Sequence, residues 1–172
     1  MNILLDADTI QARVRALAGE MERDYPDNEE IHLVCVLKGG FMFMADLVRA
    51  MSHRVSLDFI AVSSYAKSTK SSGEVRMLKD LDSGLQGRHI VIVEDIVDTG
   101  LTLTYLQEIL RARSPKTLRT ACLLNKPSRR QVDVVVEYIG FTIEDRFVVG
   151  YGLDYAEKYR NLPYIAILSE GD

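Results

Sequence analysis

The chain has 172 residues, 47% of them apolar and 27% charged, with a net charge of −4. That size suits a single domain, residues 1–172, with a core able to stand alone, and the acidic balance argues against bulk attraction to nucleic acid. No basic start leads into a long apolar run and no stretch approaches 18 apolar residues, so no membrane partner is expected and the expected location is cytoplasmic.

Asp8-Thr9-Ile10-Gln11 has the form of a capping box. Ile10, Val14, Leu17 and Met21 then share one face, which predicts a first helix to about residue 24. Residues 31–37 predict a buried strand, broken by Lys38-Gly39-Gly40. Phe41, Met44, Ala45 and Val48 mark a second helix, and residues 57–62 the next strand. Residues 66–89 are polar and carry Lys67, Lys70, Arg76, Lys79 and Arg88 against Glu74, Asp80 and Asp82. They predict a long, flexible surface loop, which is uncommon in a compact domain unless it is functional.

Ile90-Val91-Ile92-Val93 is an unbroken β-branched run, as expected for a strand buried on both faces of a parallel sheet. Leu103, Leu106, Ile109 and Leu110 recur at helical spacing. Residues 118–124, 132–139, 147–149 and 164–168 predict further strands. The alternation of strands and helices indicates an α/β domain with a largely parallel sheet. Cys35 and Cys122 lie in apolar runs and read as buried core residues rather than a disulfide framework. His32, His53 and His89 have no metal-ligand spacing.

Between the buried strand and the helix stands Glu94-Asp95-Ile96-Val97-Asp98-Thr99-Gly100-Leu101-Thr102. Thr99 and Thr102 offer hydroxyls, and Gly100 lets the backbone turn with its N–H groups exposed at a helix N-terminus, where an anion is favoured. Glu94 and Asp95 would repel a bare phosphate; they suit ribose hydroxyls or a metal ion. A sugar phosphate satisfies both halves. Helix capping by Asp98 or Thr99 would account for one residue but not for the acid pair. Asp98-Thr99-Gly100 is also the tripeptide of the all-β aspartic proteases, but the helical spacing after the glycine argues against that fold.

This segment, with its aliphatic strand, resembles the phosphoribosyl-pyrophosphate motif of the type I phosphoribosyltransferases, and the chain from about residue 31 to 168 resembles the bacterial hypoxanthine-guanine members. The resemblance implies the type I fold: a largely parallel twisted sheet flanked by helices, a small hood formed by N- and C-terminal segments, and a flexible active-site loop. It further implies a purine salvage enzyme. Such an enzyme joins hypoxanthine or guanine to 5-phosphoribosyl-1-pyrophosphate (PRPP), uses Mg2+, and acts as a homodimer or homotetramer.

Residue by residue, the match assigns PRPP binding to Leu37, Lys38, Gly39, Ser64, Tyr65, Glu94, Asp95, Asp98, Thr99, Gly100, Leu101, Thr102 and Arg160. The Leu37–Lys38 peptide can be cis in that family, and a lid carrying Ser64 and Tyr65 would keep water from the reacting ribose carbon. Purine binding falls to Ile96, Lys126, Phe147, Val148 and Asp154. Phe147 would stack on the base, the Val148 backbone read its edge, and Lys126 donate to the 6-oxo group, disfavouring adenine. Asp98 would be the general base, and Glu94, Asp95 and Asp154 the metal-side carboxylates.

Two positions depart from the family pattern. Leu101 stands where some relatives carry a polar residue, and Arg146 where lysine is frequent. A xanthine- or pyrimidine-using sister enzyme and an RNA-binding regulator of the same fold are the alternatives. The regulator would need a basic stripe that the sequence lacks.

Overall fold

In the computed structural model, which describes residues 1–64, 74–169 and 171, the elements follow in the order β1 (Asn2–Leu5), α1 (Ala7–Glu22), β2 (Ile31–Leu37), α2 (Phe41–Ala50), β3 (Val55–Ser64) and β4 (Val75–Lys79). Then come β5 (His89–Val97), α3 (Leu101–Arg111), β6 (Thr117–Asn125), β7 (Tyr138–Thr142), β8 (Val148–Val149) and β9 (Ile165–Ile167). The main sheet has the order β4-β3-β2-β5-β6-β7, with every pairing parallel except β3 with β4. A second sheet, β1-β9-β8, is antiparallel and brings the first strand beside the last.

Strand β5 shows why an unbroken apolar run was needed. Val91 and Val93 enter a core with Ile10 and Leu17 of α1 and Phe43 and Leu47 of α2. Ile90 and Ile92 enter a second core, with Leu103, Leu106 and Leu110 of α3. Successive side chains point to opposite faces, so a strand covered on both sides is apolar at both sets of positions from Ile90 to Val93, and its acids come only toward the carboxyl end. Strand β2 divides in the same way, Leu33 and Cys35 to the first core and Val34 and Val36 to the second.

Strands β2 and β5 are neighbours, yet α2 carries the chain outward from β2 to β3 on one side while α3 carries it from β5 to β6 on the other. The strand order reverses between them, and a crevice opens there at the carboxyl ends, the usual ligand position in open α/β sheets. The Lys38-Gly39-Gly40 turn and the Glu94–Thr102 segment are therefore the two lips of one crevice.

The amino ends of the same strands carry a polar network instead. Glu30 accepts from Ser56 (2.6 Å) and Arg88 (3.3 Å), and Arg88 also meets His32 and Ser56. Beside it Glu29 bonds His89 and Lys116.

Four sequence expectations are corrected. Helix α1 begins at Ala7 with Asp6 as its cap, accepting from Thr9 N at 2.8 Å, while Gln11 donates to Asp46 of α2 instead of closing a capping box around Asp8. The expected loop 66–89 contains β4 and the first residue of β5, and its turn is anchored: Asp58 accepts from Asp82 N and Ser83 N, Asp80 pairs with Arg113, and Leu85 is buried. The short, charged β4 is an edge strand, and charge on an edge hides its pattern. Tyr65 and the rest of 65–73 lie outside the described residues, and Ser64 is described only as the last residue of β3. The strand expected at 132–139 starts only at Tyr138, because Val134 and Val136 pack against the α3 core and the Gln131 and Val132 N–H groups go to Thr99 O. Finally, β1 was not foreseen.

One tertiary contact has a pH signature. Glu22, in the last turn of α1, accepts from the His53 ring (2.6 Å), from His53 N (2.7 Å) and from Ser52, tying α1 to the segment after α2. The Glu22 hydrogen bond holds the His53 pKa above its ordinary value, against the pull of burial. Burial alone would raise the Glu22 pKa, but these hydrogen bonds outweigh it and lower it. The His53 contribution is therefore complete below about pH 6.5 and disappears as pH rises through the folded-state value. The Glu22 contribution is present above about pH 4.5 and is lost as pH falls through its folded value. In urea melts, His53→Gln is expected to be less stable than wild type at pH 6, with the gap closing towards pH 9. A pH-independent gap would refute the linkage.

Candidate active site

The crevice holds two adjoining clefts. The first, about 440 Å³, is lined by Leu37, Lys38, Gly39, Glu94, Thr102 and Arg160 among others. The second, about 520 Å³, is lined by Ile96, Lys126, Arg129, Asp145, Phe147 and Val148 among others. Asp95, Ile96, Asp98 and Asp154 belong to both and form the shared wall.

The first cleft sets a glycine turn at the start of α3 beside a group of acids. Gly100 is the residue before α3, at φ 84°, and no side chain caps the helix from that position. A Cβ there would lie 3.1–3.2 Å from Val132 and Val134, so both the turn and the packing call for glycine. Thr99 Oγ1 accepts from Leu101 N (3.3 Å), and Asp98 Oδ1 accepts from Thr99 N (2.6 Å). Across the crevice the Leu37–Lys38 peptide bond is cis. Gly39 lies so close to Asp95 that a Cβ would sit 1.8 Å from Asp95 Oδ2. The two lips touch there, with no room for a side chain between them.

Glu94 and Asp95 lie near the carboxyl end of β5 and both line this cleft. Glu94 is only 6% exposed, and burial, reinforced by the charge of Asp95, pushes its pKa well above the usual carboxylate range. Burial raises Asp95 as well, opposed chiefly by a hydrogen bond from Ile96 N. Cys35 and Cys122 are pushed up to about 12 by burial and by the charge of Glu94, so both remain neutral core thiols. Arg160 supplies the positive charge: it donates to Gly152 O (2.8 Å) and lies 3.3 Å from Asp154 Oδ1 and 3.2 Å from Glu157 Oε1. Lys38 reaches Glu157 Oε2 at 3.3 Å on the exposed rim.

The second cleft has a flat aromatic wall and one buried cation. Phe147 is 54% exposed and meets Tyr155 in a T-shaped ring contact at 5.7 Å. Val148 sits in β8, paired with Ile167 of β9. Lys126, the residue after β6, is 8% exposed; its ammonium donates to Arg146 O and lies 3.8 Å from Asp145 Oδ1. Burial lowers its pKa, and the neighbouring Asp145 charge opposes that.

Every described site residue expected from the sequence except Ser64 lines one of the two clefts or adjoins them through Thr99 and Leu101. Sequence reasoning singled out neither Arg129, which the 3₁₀ turn Pro127–Arg129 presents beside Asp145 (3.6 Å), nor Glu157. No motif marks either one, and a proline one residue after Lys126 was the only local signal.

Residues 2–156 match the model of the phosphoribosyl transferase domain family. The chain belongs to that family. Its relatives include a Bacillus subtilis protein named hypoxanthine-guanine phosphoribosyltransferase, 49% identical over 166 residues and covering 96% of this chain and 92% of that one. A Salmonella typhimurium hypoxanthine phosphoribosyltransferase is 46% identical, with 96% and 93% covered. Among solved structures, a Bacillus anthracis hypoxanthine-guanine phosphoribosyltransferase with HEPES in its active site superposes with a TM-score of 0.94 at 47% identity, covering 98% of this chain and 99% of that one. The chain also matches 26% of the length of a Listeria monocytogenes protein named bifunctional protein TilS/HprT, at 44% identity. The type I phosphoribosyltransferase fold expected from the sequence is thus borne out.

Proposed function

We propose that this phosphoribosyltransferase moves the 5-phosphoribosyl group from PRPP to hypoxanthine or guanine, releasing pyrophosphate and acting in purine salvage. The observation that carries the reading is the pair of clefts with a common wall: one suits a sugar phosphate, the other a flat base with an oxygen acceptor. The names of its relatives agree with it. The C1–O bond to pyrophosphate breaks with its electron pair leaving on pyrophosphate, and a bond from C1 to the base nitrogen forms.

In this reading Thr99, Gly100, Leu101 and Thr102 hold the 5-phosphate and Glu94 and Asp95 the ribose hydroxyls, while Leu37, Lys38, Gly39 and Arg160 face the pyrophosphate. Phe147 stacks on the base, Ile96 lies against it, and the Val148 backbone reads its edge. Asp98, in the shared wall, takes the proton that the base imidazole loses as the new bond forms.

The donor set fits a magnesium ion. Glu94, which is buried, and the half-buried Asp95 form an acid pair whose charge a cation would relieve, and Asp154 lines the same cleft. Among the described residues no group of three acids, histidines or cysteines is arranged as a cage; magnesium is ordinarily held by one or two carboxylates together with substrate phosphates and water. When bound, it would neutralise the charge on the leaving pyrophosphate. Among the described residues no helix is long and apolar enough to cross a membrane, and a cytoplasmic dimer or tetramer is proposed on family grounds alone.

A spectrophotometric base screen with PRPP and magnesium tests the reading. Hypoxanthine or guanine is expected to turn over, adenine and uracil not, and chelator to abolish the rate; inactivity with every base would refute the assignment. In the same screen Lys126→Gln is expected to lose on the order of 10²-fold in kcat/KM for hypoxanthine and most of the discrimination against adenine. Unchanged discrimination would remove Lys126 from base selection.

A further inference from the structure

The segment carrying Asp154 leans on α2 through one side chain that has no role in the scheme above. Tyr151 is 3% exposed and lies in the first core with Phe43, Met44 and Leu47 of α2. Its hydroxyl donates to Asp46 Oδ2. Asp46 is itself fixed from two helices, accepting from Gln11 of α1 (2.8 Å) and from Arg49 of α2. Burial keeps the Tyr151 hydroxyl neutral and so a donor.

Tyr151 also has an unusual backbone. Its φ is 51°, between Gly150 at 100° and Gly152 at 98°. A bulky residue in the left-handed region persists only where its surroundings over-determine it. Here the Tyr151 N–H donates to Leu162 O (2.8 Å) and the Gly152 N–H to Arg160 O (2.9 Å).

Both lips of the pyrophosphate side depend on this segment. A Cβ on Gly152 would lie 2.3 Å from Gly39 O, so the 150–154 backbone rests directly on the Lys38-Gly39-Gly40 turn. Gly152 O receives Arg160 Nη1, and Arg160 pairs with Asp154. The Tyr151–Asp46 bond pins the same segment to the helix that the turn begins. We infer that Tyr151 and Asp46 are positioning residues, a strut that sets the spacing between the Leu37–Gly40 turn and the Asp154–Arg160 pair and thereby tunes recognition of pyrophosphate. The inference rests on the proposed reaction for its ligand.

The variant that tests it is Tyr151→Phe, which keeps the ring in the core and leaves Asp46 its Gln11 and Arg49 partners. KM for PRPP, and for pyrophosphate in the reverse direction, is expected to rise on the order of tenfold, with KM for hypoxanthine within about twofold of wild type. Asp46→Asn, which retains an oxygen acceptor, is expected to track wild type, and Asp46→Ala to reproduce Tyr151→Phe. Arg13→Ala is the stability control: it removes bonds from α1 to Ile139 O and Gly140 O of β7, remote from the turn, and is expected to lower the melting temperature without moving KM for PRPP.

Unchanged PRPP and pyrophosphate constants in Tyr151→Phe, or equal loss for both substrates, would overturn the strut. So would an Asp46→Asn variant as impaired as Asp46→Ala. A wild-type chain that turns over no base would refute the proposed reaction alone. The strut would then be judged by calorimetric affinity for PRPP with magnesium, which Tyr151→Phe lowers if the inference holds and leaves unchanged if it does not.

Discussion

Asp98→Asn is expected to keep the fold and to lose about 10²–10⁴-fold in kcat, the usual contribution of a positioned general base. The asparagine oxygen can still accept from Thr99 N, as Asp98 Oδ1 does at 2.6 Å, so the phosphate turn keeps its shape. What disappears is the capacity to take a proton at the wall shared by the two clefts. Binding of PRPP should change little, so the loss falls in kcat rather than in KM. Single-turnover kinetics with a thermal melt separate the cases. Wild-type turnover would remove Asp98 from the chemistry, and a matching fall in melting temperature would mean a structural defect.

Gly39→Ala is expected to be equally damaging by a steric route. The added methyl would lie 1.8 Å from Asp95 Oδ2 and 2.6 Å from its Cγ. Asp95 is short, half-buried beside Glu94 and accepts from Ile96 N at 2.8 Å, so it cannot yield without dragging the end of β5. Overpacking of this kind costs about 1–3 kcal/mol, and a displacement near 1 Å at the reacting centre can cost about 10²-fold in rate. A loss of 10²-fold or more in kcat/KM for PRPP is therefore expected, with a lowered urea midpoint. The control is Gly19→Ala in α1, where a Cβ meets nothing within 4 Å; it is expected to stabilise slightly by the helix preference for alanine. Near-normal PRPP kinetics in Gly39→Ala would show that the two lips separate freely.

What the sequence made legible follows from what is local. The β5 run, its acids and the glycine turn form a continuous segment, and the strand-to-helix change reports the edge of the sheet where ligands collect. Lys126 and Phe147 were assigned by resemblance, since a lysine at a strand end and an aromatic before a short strand are ordinary by themselves. Strand β4 escaped because an edge strand rich in charge lacks the usual pattern. Residues 132–136 misled because valines covering a helix start look the same in sequence as valines in a sheet. The closeness of Gly39 to Asp95, and of Tyr151 to Asp46, joins positions 56 and 105 residues apart, which no local pattern encodes.

The polar network at the amino ends of the strands gives the molecule a working orientation. Glu29, Glu30, Arg88 and Lys116 stand at the far end of β2 and β5 from both clefts. A tether joined there, for instance through a cysteine introduced at the exposed Asn28, would hold the protein by its base with both cleft mouths facing the solution. A support-bound catalyst for nucleotide synthesis, or a scaffold pairing it with a PRPP-making enzyme, could thus be attached with its reactive end outward.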